Sequence, residues 1–211
     1  MKISVNKFRK LAIALVSAIS AFYALADSET VNGIEWNYYV EDGNAIIEYM
    51  DSEDVKTLTI PSTLGGCPVT SIGDFAFECY EFTSVFIPSS VTNVGECAFM
   101  GCYNLMSVTG GDNLKRVGLD AFAETIFLNG KAFDDDGYGL ELVYIGNFIV
   151  GKRGFLNEAW DEEYWDDEND DWIWEYDLVI PEGTTGMADG LFTELPVTSV
   201  TIPGSVKRIP E

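Results

Sequence analysis

The chain of 211 residues has no histidine, and that absence excludes several chemistries. Without an imidazole there is no Ser-His or Cys-His nucleophile pair, no histidine general base, and none of the usual zinc motifs. The glycine-rich GxGxxG and P-loop patterns are also absent. We therefore predict a protein that is not an enzyme and that has no cofactor and no metal site.

Basic residues are scarce, with 12 Lys and Arg against 35 Asp and Glu. Four of the 12 precede residue 27, so the remainder has 8 basic residues against 35 acids, a formal charge of −27. Binding a phosphate backbone requires clusters of Lys and Arg that release counterions. Only three basic pairs remain, Lys115-Arg116, Lys152-Arg153 and Lys207-Arg208. The charge balance thus argues against nucleic acid or anionic lipid as a partner.

One long apolar run is present, at the N-terminus. Residues 1–10 contain four basic residues and no acid, the next 16 residues are largely apolar, and the run ends on Ala24-Leu25-Ala26. This order is typical of a signal peptide, and the run is shorter than the roughly 20 residues of a membrane span. We predict export and a mature chain that begins at Asp27, without a later membrane span; an N-terminal anchor is the alternative.

The most informative feature that is present is an internal repeat. An Ala-Phe pair ends at Phe77, Phe99 and Phe122, which are 22 and 23 residues apart, and a β-branched residue followed by Gly precedes each pair. With a later copy around Phe192 and an incomplete one over 197–209, the chain holds four Phe-bearing copies and one that stops early. A period of about 20 to 29 residues with apolar residues at fixed offsets is typical of a leucine-rich-repeat solenoid.

Each copy predicts short strands and tight turns. In FTSVFIP, residues 82–88, alternation directs Phe82, Val85 and Ile87 inward on a short strand that Pro88 ends. A second short extended segment, SVTNVG, ends in Gly, and ECAFMGC forms the return turn. The predicted fold class is therefore mostly β: a solenoid of coils of about 22 to 23 residues.

The quoted phrases resemble a known repeat family. IPSSVTNVGECAFMGC (87–102), IPSTLGGCPVTSIGDFAFEC (60–79) and VTSVTIPGSVKRIP (197–210) look like the BspA-type, or Treponema-type, leucine-rich repeats of bacterial surface proteins. The resemblance covers residues 55–125 and 176–211. It implies a secreted or surface-displayed, non-enzymatic protein that is associated with adhesion to host proteins or other cells.

The four cysteines lie inside the repeats or in an insertion within them. They are Cys67, Cys79, Cys97 and Cys102, too few for a disulfide framework in a chain this long. Because CYEF and CYNL are similar phrases, we predict that Cys79 and Cys102 hold the same place and stack as buried small apolar residues. A disulfide between them is the alternative.

The repeats divide the chain into five segments. Residues 1–26 are the signal peptide, and 27–54 form an N-terminal β cap with a hairpin around Asp42-Gly43 that covers the first core layer. Repeats fill 55–125, and five extra residues around LGGCP loop out of the first coil. Residues 126–175 form a degenerate coil with an irregular insertion, and 176–211 return to repeats.

The insertion is acidic and rich in tryptophan. Nine acids lie within residues 158–171, and four of the five Trp lie within 158–176. One interpretation is an exposed loop that binds a basic protein surface or a sugar through Trp160 and Trp165. The alternative is a solvated insertion whose Trp side chains cover the solenoid. Weak calcium binding here or at residues 134–137 is a lesser hypothesis, because neither stretch has the spacing of a calcium loop.

Rows of outward residues along the stacked strands are the candidate binding surface. Most are small and polar, as at Thr83 and Ser84, and Phe86 breaks its row as an exposed aromatic with Met106 beside it. We predict a non-catalytic secreted or cell-surface protein that binds a protein or glycan on another cell or host surface through this face. The alternative is a structural spacer for a region beyond Glu211. The repeat stops in mid-copy, which predicts truncation, a fragment, or end-to-end self-association there.

The signal-peptide hypothesis predicts a shorter mature chain. Expressed with residues 1–26 in a bacterial host, the chain should be exported and should begin at Asp27, because signal peptidase accepts the Ala-Leu-Ala sequence. Mass spectrometry of the exported protein measures its N-terminus. A variant with Ala24→Asp and Ala26→Asp should keep residues 1–26, and an uncleaved original chain would support the anchor instead.

Overall fold

A computed structural model describes residues 27–52, 54–130, 141–153, 177–193 and 198–209, and the backbone of segments 165–166 and 171–172. The predicted signal peptide, the sequence 134–137 and Trp160 lie outside these residues. Seventeen strands and one short helix are described within them. In chain order they are β1 Asp27–Val31, β2 Ile34–Glu41, β3 Asn44–Asp51, β4 Thr57–Thr59, β5 Thr63–Leu64, β6 Cys67–Ile72, β7 Ser84–Ile87, β8 Asn93–Val94, β9 Ser107–Gly110, β10 Arg116–Val117, α1 Ile126–Asn129, β11 Glu141–Ile145, β12 Phe148–Arg153, β13 Trp165–Asp166, β14 Asp171–Trp172, β15 Asp177–Val179, β16 Gly186–Met187 and β17 Ser199–Thr201.

The N-terminal cap is a three-stranded antiparallel sheet. Strands β2 and β3 form the predicted hairpin, whose turn residues Asp42 and Gly43 both have positive φ. Sequence reasoning missed β1, which pairs with β2 across a second turn of the same kind at Asn32 and Gly33. Because β3 pairs in parallel with β6, the cap extends the sheet of the first coil and covers its core.

The repeats stack through two parallel strand ladders. One joins β4, β7 and β9, and the other continues from β3 through β6, β8 and β10. Paired residues in the second ladder are 22 residues apart at Ser71 and Asn93, and 23 apart at Asn93 and Arg116. The prediction of a mostly β solenoid of 22- to 23-residue coils is confirmed. The extra residues of the first coil form the tight hairpin β5–β6 at Gly65-Gly66, where a plain loop was expected.

The core is a column of phenylalanines at the repeated Ala-Phe position. Phe99 lies between Phe77 and Phe122, with ring centroids 5.1 Å apart on each side. Trp36 of the cap covers one end edge-on at 6.2 Å, and Phe127 of α1 covers the other at 5.6 Å. The stack is thus closed by an aromatic side chain at both ends, since each ring needs a partner on both faces to be fully buried.

The repeated Gly that precedes each Ala-Phe pair permits this spacing between the rings. A Cβ atom on Gly95 would lie 2.6 Å from the backbone nitrogen of Asp74, and one on Gly118 would lie 2.6 Å from that of Glu96. Real side chains do not tolerate such distances to backbone atoms, so the coils approach this closely only where the side chain is missing. The repeated Gly is therefore a condition for coil contact as well as for the bend that the sequence predicts.

The return turn has two left-handed positions, four residues apart. Phe75, Cys97 and Asp120 occupy the first at φ of 57°, 52° and 54°. The second is occupied by Cys79, Gly101 and Glu124 at φ of 58°, 68° and 59°. The prediction that Cys79 and Cys102 hold the same place is wrong: Cys79 stands two residues after its Phe and is exposed, whereas Cys102 stands three residues after its Phe and is buried.

The stack changes after the third coil. Thr125 accepts a hydrogen bond from the Leu128 amide at 3.1 Å and caps α1, a single helical turn that the mostly extended prediction did not include. Strands β11 and β12 then form an antiparallel hairpin, and β12 pairs in parallel with β16 of the next coil. We count the hairpin β11–β12 as the fourth coil and the segment with β15 and β16 as the fifth. The Asp189 amide donates to the Val117 carbonyl at 2.9 Å, which joins the turn of the fifth coil directly to that of the third.

Within the described residues, no helix is both long and apolar enough to cross a membrane.

The close approach of the turns predicts a steric penalty at Gly95. Gly95→Ala should lower the free energy of unfolding by about 1 to 3 kcal/mol, because the added methyl group forces neighbouring coils apart. Urea unfolding followed by circular dichroism measures the change. Gly204→Ala is the matched control, since nothing lies within 4 Å of its Cβ position. Equal losses for the two variants would contradict close contact as the reason for Gly95.

Candidate binding surface

The outward side of β4, β7 and β9 is the surface that the sequence singles out. The strands pair in register, so that Thr57, Ser84 and Ser107 form one row and Thr59, Phe86 and Thr109 form another. The inward partners, Leu58, Val85 and Val108, are buried. In these three fully described strands, no outward residue is charged. A strand face lined by hydroxyl groups therefore interrupts the acidic surface of the molecule; we call it the hydroxyl face.

Hydrogen bonds order one end of the hydroxyl face. Thr83 donates through its hydroxyl to the Lys56 carbonyl at 2.9 Å, and Ser84 donates to the Thr57 hydroxyl at 3.3 Å. Beside them, Lys56 Nζ donates to Glu81 at 2.9 Å, and this hydrogen bond lowers the pKa of the Glu81 carboxyl. This ion pair marks the border of the face. Because it is exposed and screened by water, it adds little to the stability of the fold.

Phe86 projects from the middle strand of this face. Its side chain is 44% exposed, as the sequence predicts for an outward aromatic. Part of the ring lies against the next strand, because a Cβ on Gly110 would be 3.1 Å from Phe86 Cε2. The ring is thus held on one side by backbone and is open to solvent on the other, which costs little entropy when a partner covers it.

Met106 is also outward, at 58% exposure, but does not lie next to Phe86. Its amide donates to the Thr83 carbonyl at 3.0 Å, so it aligns with Thr83. Phe86 is three residues further along, roughly 10 Å at the rise of a β-strand. The structure therefore brings Met106, Thr83 and Ser84 together at one end of the face and places Phe86 at the other.

A second pair of strands continues the outward rows in the later coils. Strand β17 pairs in parallel with β15, which sets Asp177 beside Ser199 and Val179 beside Thr201. Val179 is a strongly exposed apolar residue that sequence reasoning missed. The Ile180-Pro181 phrase that follows it marks the end of the strand, as Ile87-Pro88 does, and could have located it.

The acidic insertion is described only in part. Strands β13 and β14 pair antiparallel, with Trp165 opposite Trp172 in the backbone register. Trp160 lies outside the described residues, so the binding role of Trp160 and Trp165 stays a prediction. In the described part of the chain, no group of three or more Cys, Asp or Glu residues is placed to hold a metal ion.

The four cysteines are thiols in this structure, without the alternative disulfide. Cys97 is buried, and burial, followed by the charges of Glu96, Asp120, Glu78 and Asp74, raises the pKa of its thiol. A thiol whose anion is disfavoured both by burial and by carboxylates is a poor nucleophile. The geometry around Cys97 therefore serves the turn and does not prepare a reactive sulfur.

The repeats match a family by sequence. Residues 48–135 match the model of the BspA type leucine-rich repeat region in six copies. A leucine-rich repeat protein from Bacteroides capillosus is 31% identical over 46% of this chain and 74% of its own, with a TM-score of 0.40. The chain belongs to the BspA-type leucine-rich repeat family.

Two further solved structures are similar to the chain. A leucine-rich cell surface protein from Faecalibacterium prausnitzii is 28% identical over 86% of this chain and 44% of its own, with a TM-score of 0.45. The chain thus spans less than half the length of that protein. The T. pallidum leucine-rich repeat protein is 22% identical over 80% of this chain and 69% of its own, with a TM-score of 0.47. Among curated proteins, no sequence matches the chain.

Burial of Cys97 predicts selective alkylation. With iodoacetamide near pH 8, Cys79 should react roughly tenfold or more faster than Cys97, because Cys79 is exposed whereas the buried Cys97 thiol has a raised pKa. Peptide mapping by mass spectrometry measures each rate, and the chain unfolded in urea is the control, in which the two should react similarly. Equal rates in the folded chain would contradict this placement of the thiols.

Proposed function

We propose that the chain is a non-catalytic binding protein of the cell exterior and that its partner docks on the hydroxyl face. The observation that carries the proposal is Phe86, an aromatic that is half exposed on the middle strand of an uncharged strand face, on a chain of net charge −23. An aromatic ring surrounded by small polar groups is the composition of a binding hot spot with its rim.

The fold supports such a role because it makes the surface rigid. The backbone of β7 is hydrogen-bonded to strands on both sides, and its inward side chains are buried. A partner therefore meets a preorganised surface and does not have to order a loop on binding. Small hydroxyl side chains also lose little conformational entropy when they are covered.

The family and the N-terminal sequence support an exterior location. BspA-type repeats occur in this chain, and the F. prausnitzii protein to which it is similar is a leucine-rich cell surface protein. Residues 1–26 have the order of a signal peptide. We infer that the partner is a protein or glycan on another cell or on a host surface.

The proposal predicts that Phe86 dominates capture of the partner. Phe86→Ala with Met106→Ala should weaken binding by roughly tenfold or more, the loss expected of a central aromatic anchor. The exported chain, immobilised, is exposed to surface extracts of host or neighbouring cells, and the recovery of each captured protein is quantified by mass spectrometry. Glycosidase treatment of a parallel extract distinguishes a glycan partner from a protein partner.

Tyr103→Ala is the matched control, because Tyr103 is equally an exposed aromatic but lies on the return turn. Urea unfolding of each variant separates loss of binding from loss of the contact between Phe86 and Gly110. If the double variant recovers the same proteins in the same amounts as the control, the hydroxyl face is not the binding surface, and the structural-spacer alternative gains support.

A further inference from the structure

The structure gathers half of the basic residues that follow residue 26 into one patch. Lys115 and Arg116 of the third coil and Lys207 and Arg208 of the last coil are all exposed, and two of them bind the same carboxylate. We call these four residues the basic patch. Arg116 lies on the ladder of β6, β8 and β10, whereas the hydroxyl face lies on the separate ladder of β4, β7 and β9, so the basic patch belongs to a different surface.

Asp189 of the fifth coil holds the two arginines. Arg116 Nε donates to Asp189 Oδ2 at 3.1 Å, and Arg208 Nη2 donates to Oδ1 at 3.3 Å. The Asp189 side chain is 15% exposed, whereas those of Arg116 and Arg208 are 60% and 47% exposed. Each guanidinium has five N–H donors, so most donors of both arginines stay available to a second anion. Asp189 therefore fixes the two side chains without using up their binding capacity.

The repeat sets the spacing of the patch. The Lys115 amide donates to the Thr92 carbonyl, and the Lys207 amide donates to the Thr185 carbonyl, so the same contact between neighbouring coils recurs at two places in the stack. The Thr185 amide in turn donates to the Asn147 carbonyl, and Gly186 pairs with Phe148, so β12 also occupies the ladder beside the fifth coil. With strands about 4.8 Å apart, the pairs lie on the order of 10 to 15 Å from each other. Residues i and i+4 of an extended peptide are separated by a similar distance of about 13 Å.

We propose that the basic patch binds an acidic segment of a partner protein in extended conformation, with carboxylates on its i and i+4 residues. Carboxylates match the planar guanidinium fork, and both arginines already donate to one here, that of Asp189. The four cations carry three charges more than the single carboxylate that two of them bind. A long polyanion such as nucleic acid would meet the repulsion of the other acids of the chain, whereas a short acidic segment contacts the patch alone.

Fluorescence anisotropy of the full chain tests the proposal with two labelled peptides, one of alternating glutamate and threonine and one of alternating glutamine and threonine. The glutamate peptide should bind roughly tenfold or more tightly than the glutamine peptide at about 50 mM salt, and its affinity should fall at about 300 mM salt. Equal affinity for the two peptides would overturn the proposal.

Variants locate the binding. The double variant Lys115→Gln with Lys207→Gln keeps the hydrogen bonds between the arginines and Asp189, and it should bind the glutamate peptide about fivefold more weakly. The double variant Arg116→Gln with Arg208→Gln should bind this peptide more weakly still. Lys56→Gln, which changes a basic residue at the border of the hydroxyl face, is the matched control and should leave the affinity unchanged.

Two results would overturn the assignment even if the glutamate peptide binds. A loss with Lys56→Gln as large as with the Lys115 and Lys207 variant would show that general charge is responsible. A sulfated hexasaccharide that binds the same four residues more tightly than the glutamate peptide would assign the patch to an anionic glycan instead. Neither result bears on the hydroxyl face, whose test uses Phe86 and Met106.

Discussion

Backbone hydrogen bonding between successive coils is the interaction on which the rest of this structure depends. At the return turn, the amide of Phe77 donates to Ala98 at 2.8 Å and that of Phe99 to Ala121 at 2.7 Å. These bonds form only if the turns approach closely, which requires the repeated Gly, and they place the phenylalanine rings in contact. Core burial, ring stacking and the flat strand faces thus all follow from one distance, that between the backbones of neighbouring coils.

The hydroxyl face depends on the same distance between neighbouring coils. Parallel pairing at a fixed register turns single outward residues into rows, so the hydroxyl face is a consequence of stacking and not of any one coil. Differences between copies then distinguish one coil from the next on this face: Phe86 replaces the Thr that its neighbours have in the same row. Likewise, the basic patch arises because Lys-Arg stands at one repeat position in two coils. The stacking of similar coils fixes where outward side chains lie, and the residues that differ between coils determine which chemical groups stand there.

Much of the fold could be predicted from the sequence because apolar periodicity reports directly on the inward face. Ile87, Val94 and Phe99 are buried as predicted, and Phe86 is exposed. The prediction failed for Cys79, which was aligned with Cys102 because the phrases CYEF and CYNL are similar. Counting from the repeated Phe instead gives the correct position, since Cys79 follows Phe77 by two residues and Cys102 follows Phe99 by three. The sharing of Asp189 by Arg116 and Arg208 was not predictable, since it depends on which coils lie side by side after the hairpin β11–β12.

The bond from the Asp189 amide to the Val117 carbonyl links two turns that are more than 70 residues apart in sequence. The stacked return turns therefore continue directly from the third coil to the fifth through this hydrogen bond. Closing a longer loop costs only about 0.6 kcal/mol for each doubling of its length. A change in the length of the chain between these two turns would therefore leave the direct contact between the third and fifth coils in register.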